Sequence, residues 1–281
     1  VCTGNDMEIT ISNCTISDGN GRNRKGAGIG AGWDSQVKKI TISDTIYTGG
    51  NIGGSNCTNN MWKMNDIESI EIYRSVIDAY CSDTGGGKAA IGTGALGKIG
   101  TIKIVDSDII AESKIGAGIG TGGYADVGAA KMRGGECKSI YIENSTIEAK
   151  GGDGGAGIGG GWGTVAEKIE IVDCEMVKAT GSHQGHANSD NNDEYAEYAG
   201  SAGIGGGAKE SSGKIIIKNS TVEAKGDYWS AGIGSSGSNT SSATLWNVTC
   251  GSIEITDSII NSTGGYGGAG IGSGRGAQFE S

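Results

Sequence analysis

One short motif returns throughout the chain and restricts it to a repeat architecture. Its fullest form is GGAGIGG, residues 154–160, and its central isoleucines are Ile29, Ile52, Ile91, Ile119, Ile158, Ile204, Ile233 and Ile271. The copy at Ile52 is degenerate, GGNIGG, and the copy at Ile91 reads KAAIGTG. A second pattern, I-x-I-x-[D/N]-[S/T/C]-x-apolar, precedes each copy and opens at Ile9, Ile40, Ile70, Ile102, Ile140, Ile169, Ile215 and Ile253. The two alternate strictly, which makes eight repeats. Units of this kind bury their cores against their neighbours, so the 281 residues read as one solenoid domain, 1–281, although length alone allows one or two domains.

Within KIEIVDCEMV, Ile169 and Ile171 lie on one face of a strand and Glu170 and Val172 on the other. The same spacing holds at Ile140 and Ile142, Ile215 and Ile217, and Ile253 and Ile255. Helix is excluded by this period and by the glycine and β-branched content. The strand ends at Asn13, Asp44, Asp106, Asn144, Asp173, Asn219 or Asp257, with Arg74 as the exception. Asp and Asn tolerate a left-handed backbone and bond neighbouring amides, so they mark a corner. A second short strand follows, as in TIEAK and TVEAK, and AGIG supplies a third edge on which glycine allows tight turns and isoleucine points inward.

Repeat openings are separated by 31, 30, 32, 38, 29, 46 and 38 residues. Three strands and three turns per repeat describe one coil of a parallel β-helix. Rungs about 4.8 Å apart put like residues into ladders and make eight coils a rod on the order of 40 Å long. Each buried aliphatic side chain contributes about 1.5 to 3 kcal/mol, offset by the ordering entropy of the chain. Glycine accounts for 56 residues and proline for none; scattered glycine would mean disorder, whereas periodic glycine means a regular fold.

The alternation of I-x-I-x-N-S-T-[I/V] with G-G-x-G-A-G-I-G-G-G resembles the glycine-rich right-handed β-helix repeats of secreted and cell-surface proteins, over nearly the whole chain. The resemblance implies an all-β right-handed parallel β-helix of about eight coils, and a place among adhesins, carbohydrate-binding modules and surface proteins. Pectate lyases and polygalacturonases share the general architecture, but none of their catalytic motifs is present.

Because the core segments keep their lengths, extra residues between them must bulge out, at about 54–66, 124–136, 181–200 and 234–250, and specific function is expected on such loops. The longest, GSHQGHANSDNNDEYAEYAG, holds His183, His186, Asp190 and Asp193, a set able to take a divalent metal; a solvated polar loop is the alternative. Calcium on ladder or loop aspartates is a related expectation. Trp62, Trp229 and Trp246, with Tyr195 and Tyr198, are candidates for stacking on sugar rings, and Tyr124, Tyr228 and Tyr266 extend that set. The alternative is that these aromatics pack insertions onto the coils. Trp33 and Trp162 each follow an AGIG isoleucine by four residues and so share one column.

Seven cysteines include no C-x-x-C pair, which argues against structural zinc and thioredoxin-like chemistry. Cys14 and Cys174 take the Ser/Thr position of their repeats. Cys57 and Cys81, in neighbouring coils, are the first disulfide candidate; Cys2 with Cys14 and Cys137 with Cys174 are the others. Of seven N-x-[S/T] sequons, Asn13, Asn144 and Asn219 coincide with the corner column. Asn56, Asn239, Asn247 and Asn261 are the glycosylation candidates.

A net charge of −10 makes nucleic acid and anionic membranes unsuitable partners. No apolar run approaches the roughly 20 residues of a membrane helix, and no signal peptide is visible at Val1, as in a mature or trimmed chain. A glycosidase needs two carboxylates placed across a cleft, and a Ser or Cys hydrolase needs a matched histidine; neither is singled out, so the expectation is a non-enzyme. Neither end of the chain reads as a helical cap, and bare terminal strands invite pairing. The expected function is therefore an extracellular structural or adhesive protein whose copies stack head to tail into a surface filament. Polysaccharide or glycan binding through loop aromatics is the alternative.

Overall fold

A computed structural model describes residues 7–18, 26–32, 35–55, 66–82, 87–94, 97–123, 125–127, 130–132, 135–183, 199–238, 248–276 and 278–279. Three parallel sheets run the length of the chain, each receiving one strand per repeat, and the first takes one further short strand, Val165–Ala166. The first extends from Glu8–Ser12 to Ile253–Thr256, the second from Thr15–Ser17 to Ile259–Thr263, and the third from Ile29–Gly30 to Ile271–Gly272. Each sheet stacks its strands in sequence order through all eight repeats. The result is a right-handed parallel β-helix of eight coils, the hand that parallel crossovers adopt.

Register follows the sequence rows. Ile9 pairs with Ile40, Ile40 with Ile70, Ile70 with Ile102 and Ile102 with Ile140. In the third sheet Ile29, Ile52 and Ile91 lie over one another, so the degenerate GGNIGG is a full member of its row. These inward isoleucines are fully buried in the inner coils. Coil two departs from the second-sheet pattern: Tyr47 stands over Ile16 and under Ile77 and donates its hydroxyl to the Gly50 carbonyl at 2.9 Å. Gly28 and Gly49 leave the room for its ring, since a Cβ on either would meet the phenol oxygen.

The strands of coils three to five are longer than the I-x-I pattern shows. They begin at Asp66, Lys98 and Glu136, so the last residues assigned to two insertions, Asp66 and Glu136, belong to the first sheet. Their added inward row is Ile67, Ile99 and Cys137, continued in coil six by Ala166 of the short strand Val165–Ala166, all buried. That row corrects one disulfide expectation. Cys137 fills the core beneath the start of the first sheet, whereas Cys174 sits at the corner after its end, and no disulfide joins any two of the described cysteines. Cys57 and Cys2 lie outside the described residues.

The insertions add small antiparallel elements. Ala125–Val127 pairs with Ala130–Met132, and Ala199–Gly200 with Gly237–Ser238. Gly234, assigned to the last insertion, belongs to the third sheet, and Thr249–Cys250 pairs in parallel with Gln278–Phe279. Among the described residues no helix is long and apolar enough to cross a membrane.

Candidate functional site

Two surface features run along the solenoid axis. The first is the corner after the first sheet. Asn13, Asp44, Arg74, Asp106, Asn144, Asp173, Asn219 and Asp257 all hold φ between 44° and 54°, the left-handed region that Asp and Asn enter most readily. Arg74 adopts it without being Asx, and its guanidinium forms a bidentate pair with Asp44 through Nε and Nη2, both at 2.8 Å. That pairing holds the Asp44 carboxyl below its ordinary range. Higher up the column Asn144 Nδ2 donates to Asp106 Oδ1 at 2.6 Å, and Asn219 Nδ2 donates to Asp173 Oδ1 at 2.8 Å.

Behind these residues runs a row of small hydroxyls. The Ser75, Ser107, Ser145 and Ser220 hydroxyls each donate to the carbonyl two residues back, at 2.7 to 2.8 Å. Each also accepts an N–H from the preceding coil, from Thr45, Ser75, Ser107 and Cys174 respectively. The corner is thus satisfied by its own side chains. Outside it lies an open groove of about 750 Å³, lined by residues that include Asp106, Asp173, Glu175, Asp257 and Ile259. Alternation keeps its column carboxylates apart, and no group of three or more His, Cys, Asp or Glu among the described residues could hold a metal ion.

The second feature is the turn before the third sheet in coils six to eight. Tyr228 and Tyr266 each precede an AGIG isoleucine by five residues, Ile233 and Ile271, and so occupy one row. Both are exposed, at 47% and 75%. His183 continues the line, with its ring centroid 5.5 Å from that of Tyr228. Asp227 orients the imidazole: its Oδ2 lies 3.0 Å from His183 Nδ1, while its Oδ1 accepts the Tyr228 N–H at 2.7 Å.

Trp229 lies inside this corner. It is half-buried with φ 65°, the Arg275 guanidinium stands 4.2 Å from its ring centroid, and Tyr266 meets it edge to face at 4.7 Å. Gly267 leaves room for the ring, since a Cβ there would come within 3.0 Å of it. Its indole Nε1 is buried without a hydrogen-bond partner among the described residues. The open aromatic surface here therefore belongs to Tyr228 and Tyr266, while Trp229 supports the turn. Trp162 is buried against Ala199 and Ala208 with Lys209 Nζ 5.9 Å from its ring, a packing role.

Of the other expected site residues, Trp62, Trp246, Tyr195, Tyr198, His186, Asp190, Asp193, Asn56, Asn239 and Asn247 lie outside the described residues, as do Trp33 and Tyr124. Asn261 is exposed on the outer face of Ile259–Thr263, whereas the Asn144 and Asn219 amides are engaged along the column. Burial pushes the Cys137 thiol up to about 12, which keeps it protonated and unreactive at neutral pH. The Tyr228 and Tyr266 row could have been found in the sequence by counting back from each AGIG isoleucine.

Fold and surface together define a glycine-rich parallel β-helix solenoid. No protein-family model, curated protein or solved structure matches this chain.

Proposed function

We propose that this chain is a non-catalytic structural or adhesive solenoid of the cell surface or extracellular space whose copies stack end to end into a filament. One observation carries the reading: all three sheets run parallel and in register through eight coils, isoleucine over isoleucine, so that each coil offers the next an edge of one and the same pattern. Ile271, stacked on Ile233 in the third sheet, is 47% exposed. A strand edge of this repeating pattern takes another strand of the same pattern. The exposed Asn261 sequon fits an extracellular setting.

Sedimentation velocity and electron microscopy on the purified chain test this. The expected result is concentration-dependent association into rods with an axial repeat on the order of 40 Å, eight rungs, abolished by Ile271→Lys. A chain that stays monomeric at high concentration overturns the reading. A second reading, glycan binding, is favoured by the exposed Tyr228 and Tyr266 in consecutive coils, since stacked tyrosines offer sugar rings an apolar face with a polar edge. Glycan-array binding lost in Tyr228→Ala with Tyr266→Ala would support it, and an array without hits would remove it.

A further inference from the structure

Strand alternation sends every second residue of the second sheet outward, and in coils two to four three of those outward positions are apolar. Ile46, Val76 and Ile110 are each about half exposed, at 49% to 52%, beside the inward Tyr47, Ile77 and Ile109, which are buried. Register brings the three together. Ile46 pairs with Val76 and Val76 with Asp108, while Thr48 pairs with Asp78, Asp78 with Ile110 and Ile110 with Glu148. Ile46, Val76 and Ile110 therefore form an oblique strip across the sheet, with Asp108 on one side of it and Asp78 on the other. Two rungs along the axis and two residues along the strand separate the ends of the strip, about 12 Å in all. On either side of the strip the first outward row returns to threonine, at Thr15 and Thr146.

The charges around the strip are those that the fold leaves unpaired. On the second-sheet strands of coils two to five and their corners the cations are Arg74 and Lys150. Arg74 is held by Asp44 at 2.8 Å and Lys150 by Glu112 at 3.1 Å, and Asp106 accepts from Asn144. Asp78, Asp108 and Glu148 form no ion pair among the described residues. Val76 and Asp108 also line the open groove outside the corner, so the strip is reached from that side. An exposed apolar strip gains by being covered, and bare carboxylates on both of its sides select a cationic cover. A second copy fits poorly, because apposing two such faces sets Asp78 and Asp108 against like charges on a chain of net charge −10, and an anionic membrane is repelled in the same way. An amphipathic helix fits: side chains at i, i+4 and i+8 lie on one face and span about 12 Å, with room for Lys or Arg along both flanks.

We infer that the outer face of the second sheet in coils two to four docks a basic amphipathic helix of a partner protein, its apolar stripe on Ile46, Val76 and Ile110 and its Lys or Arg side chains on Asp78 and Asp108. Docking here does not require end-to-end stacking. Fluorescence anisotropy on the full chain tests it, with a labelled synthetic peptide cross-linked on its outer side to hold a helix, carrying Leu at three positions four apart and Lys on both flanks. The expected result is saturable binding, weakened on the order of tenfold or more by Val76→Thr with Ile110→Thr. Asp78→Asn with Asp108→Asn should weaken it too and flatten its dependence on salt. Glu223→Gln, which removes an outward carboxylate from the same sheet in coil seven, should leave binding unchanged. Threonine keeps the strand preference of the residues it replaces, and thermal unfolding checks that each variant is folded. A second peptide with Ser in place of Leu and the same charge should bind on the order of tenfold more weakly. Equal binding of the two peptides, or binding indifferent to the threonine pair, would mean unspecific charge attraction and overturn the docking site. So would a parent chain that binds neither peptide, or one whose self-association is lost with the threonine pair, since a second copy would then be the occupant.

Discussion

Gly120 shows how one residue governs the third sheet. It holds φ +141°, and a Cβ built there would lie beneath the Gly159 carbonyl, the same close approach that Gly92 makes to Gly120. An alanine at this position meets both an unfavourable backbone region and a fixed backbone atom. Gly120→Ala is therefore expected to cost at least about 3 kcal/mol, read as a lower urea midpoint. Gly123, with only ordinary contacts around an added Cβ, should tolerate the same change far better. Cys174 presents the opposite case. It stands where the neighbouring coils have serine, its Sγ donates to the Val172 carbonyl at 3.3 Å, and sulfur receives the incoming backbone N–H more weakly than oxygen. Cys174→Ser should restore the hydroxyl row and raise stability by about 0.5 to 1 kcal/mol in the same assay.

At the scale of the element, the corner column behaves as an electrostatic ladder. Opposed charges on adjacent strands support pairing and like charges weaken it, so Arg74 between Asp44 and Asp106 compensates for a site where the repeat has lost its Asx residue. The Arg74 guanidinium holds the Asp44 carboxyl below its ordinary value. A carboxyl depressed on folding contributes stability above its unfolded value, and that contribution is lost as pH falls through its folded value. Arg74→Ala should accordingly lower the melting temperature at neutral pH, and the gap from the parent should close under acid conditions. A gap independent of pH would mean that Arg74 acts through packing alone. The corner itself was legible in the sequence because Asx residues recur after seven of the eight I-x-I strands. The direction of its pairing, with Asp44, Asp106 and Asp173 each accepting from the donor on the following coil, was hidden, since it depends on which side chain turns toward which neighbour. The extended strands at Asp66, Lys98 and Glu136 were hidden for a different reason: Cys137 and Ala166 continue an inward isoleucine row with smaller residues that carry little periodic signal. At the aromatic corner the row of Tyr228 and Tyr266 was readable, but the use of Trp229 as a support under Arg275 and Tyr266 needed the contacts themselves.

At the scale of the whole molecule, stability is a sum of coil terms and interfaces between neighbouring coils, which makes the position of a substitution along the axis decisive. Ile104 lies in coil four and is fully buried, whereas Ile255 lies in coil eight of the same row and is half-buried. Truncating a buried isoleucine costs about 2 to 5 kcal/mol, and a half-buried one should cost well under half of that. Ile104→Ala should thus lower stability heavily at any protein concentration, because both of its neighbours belong to its own chain. Ile255→Ala should be mild in dilute solution. If copies stack end to end, association buries Ile255 against the next coil and stabilises the folded chain by mass action, so the cost of Ile255→Ala must grow as concentration rises. Urea unfolding of both variants across a wide concentration series separates the cases. A cost at Ile255 that stays constant while the Ile104 cost stays large would leave the solenoid intact and remove self-stacking as its use.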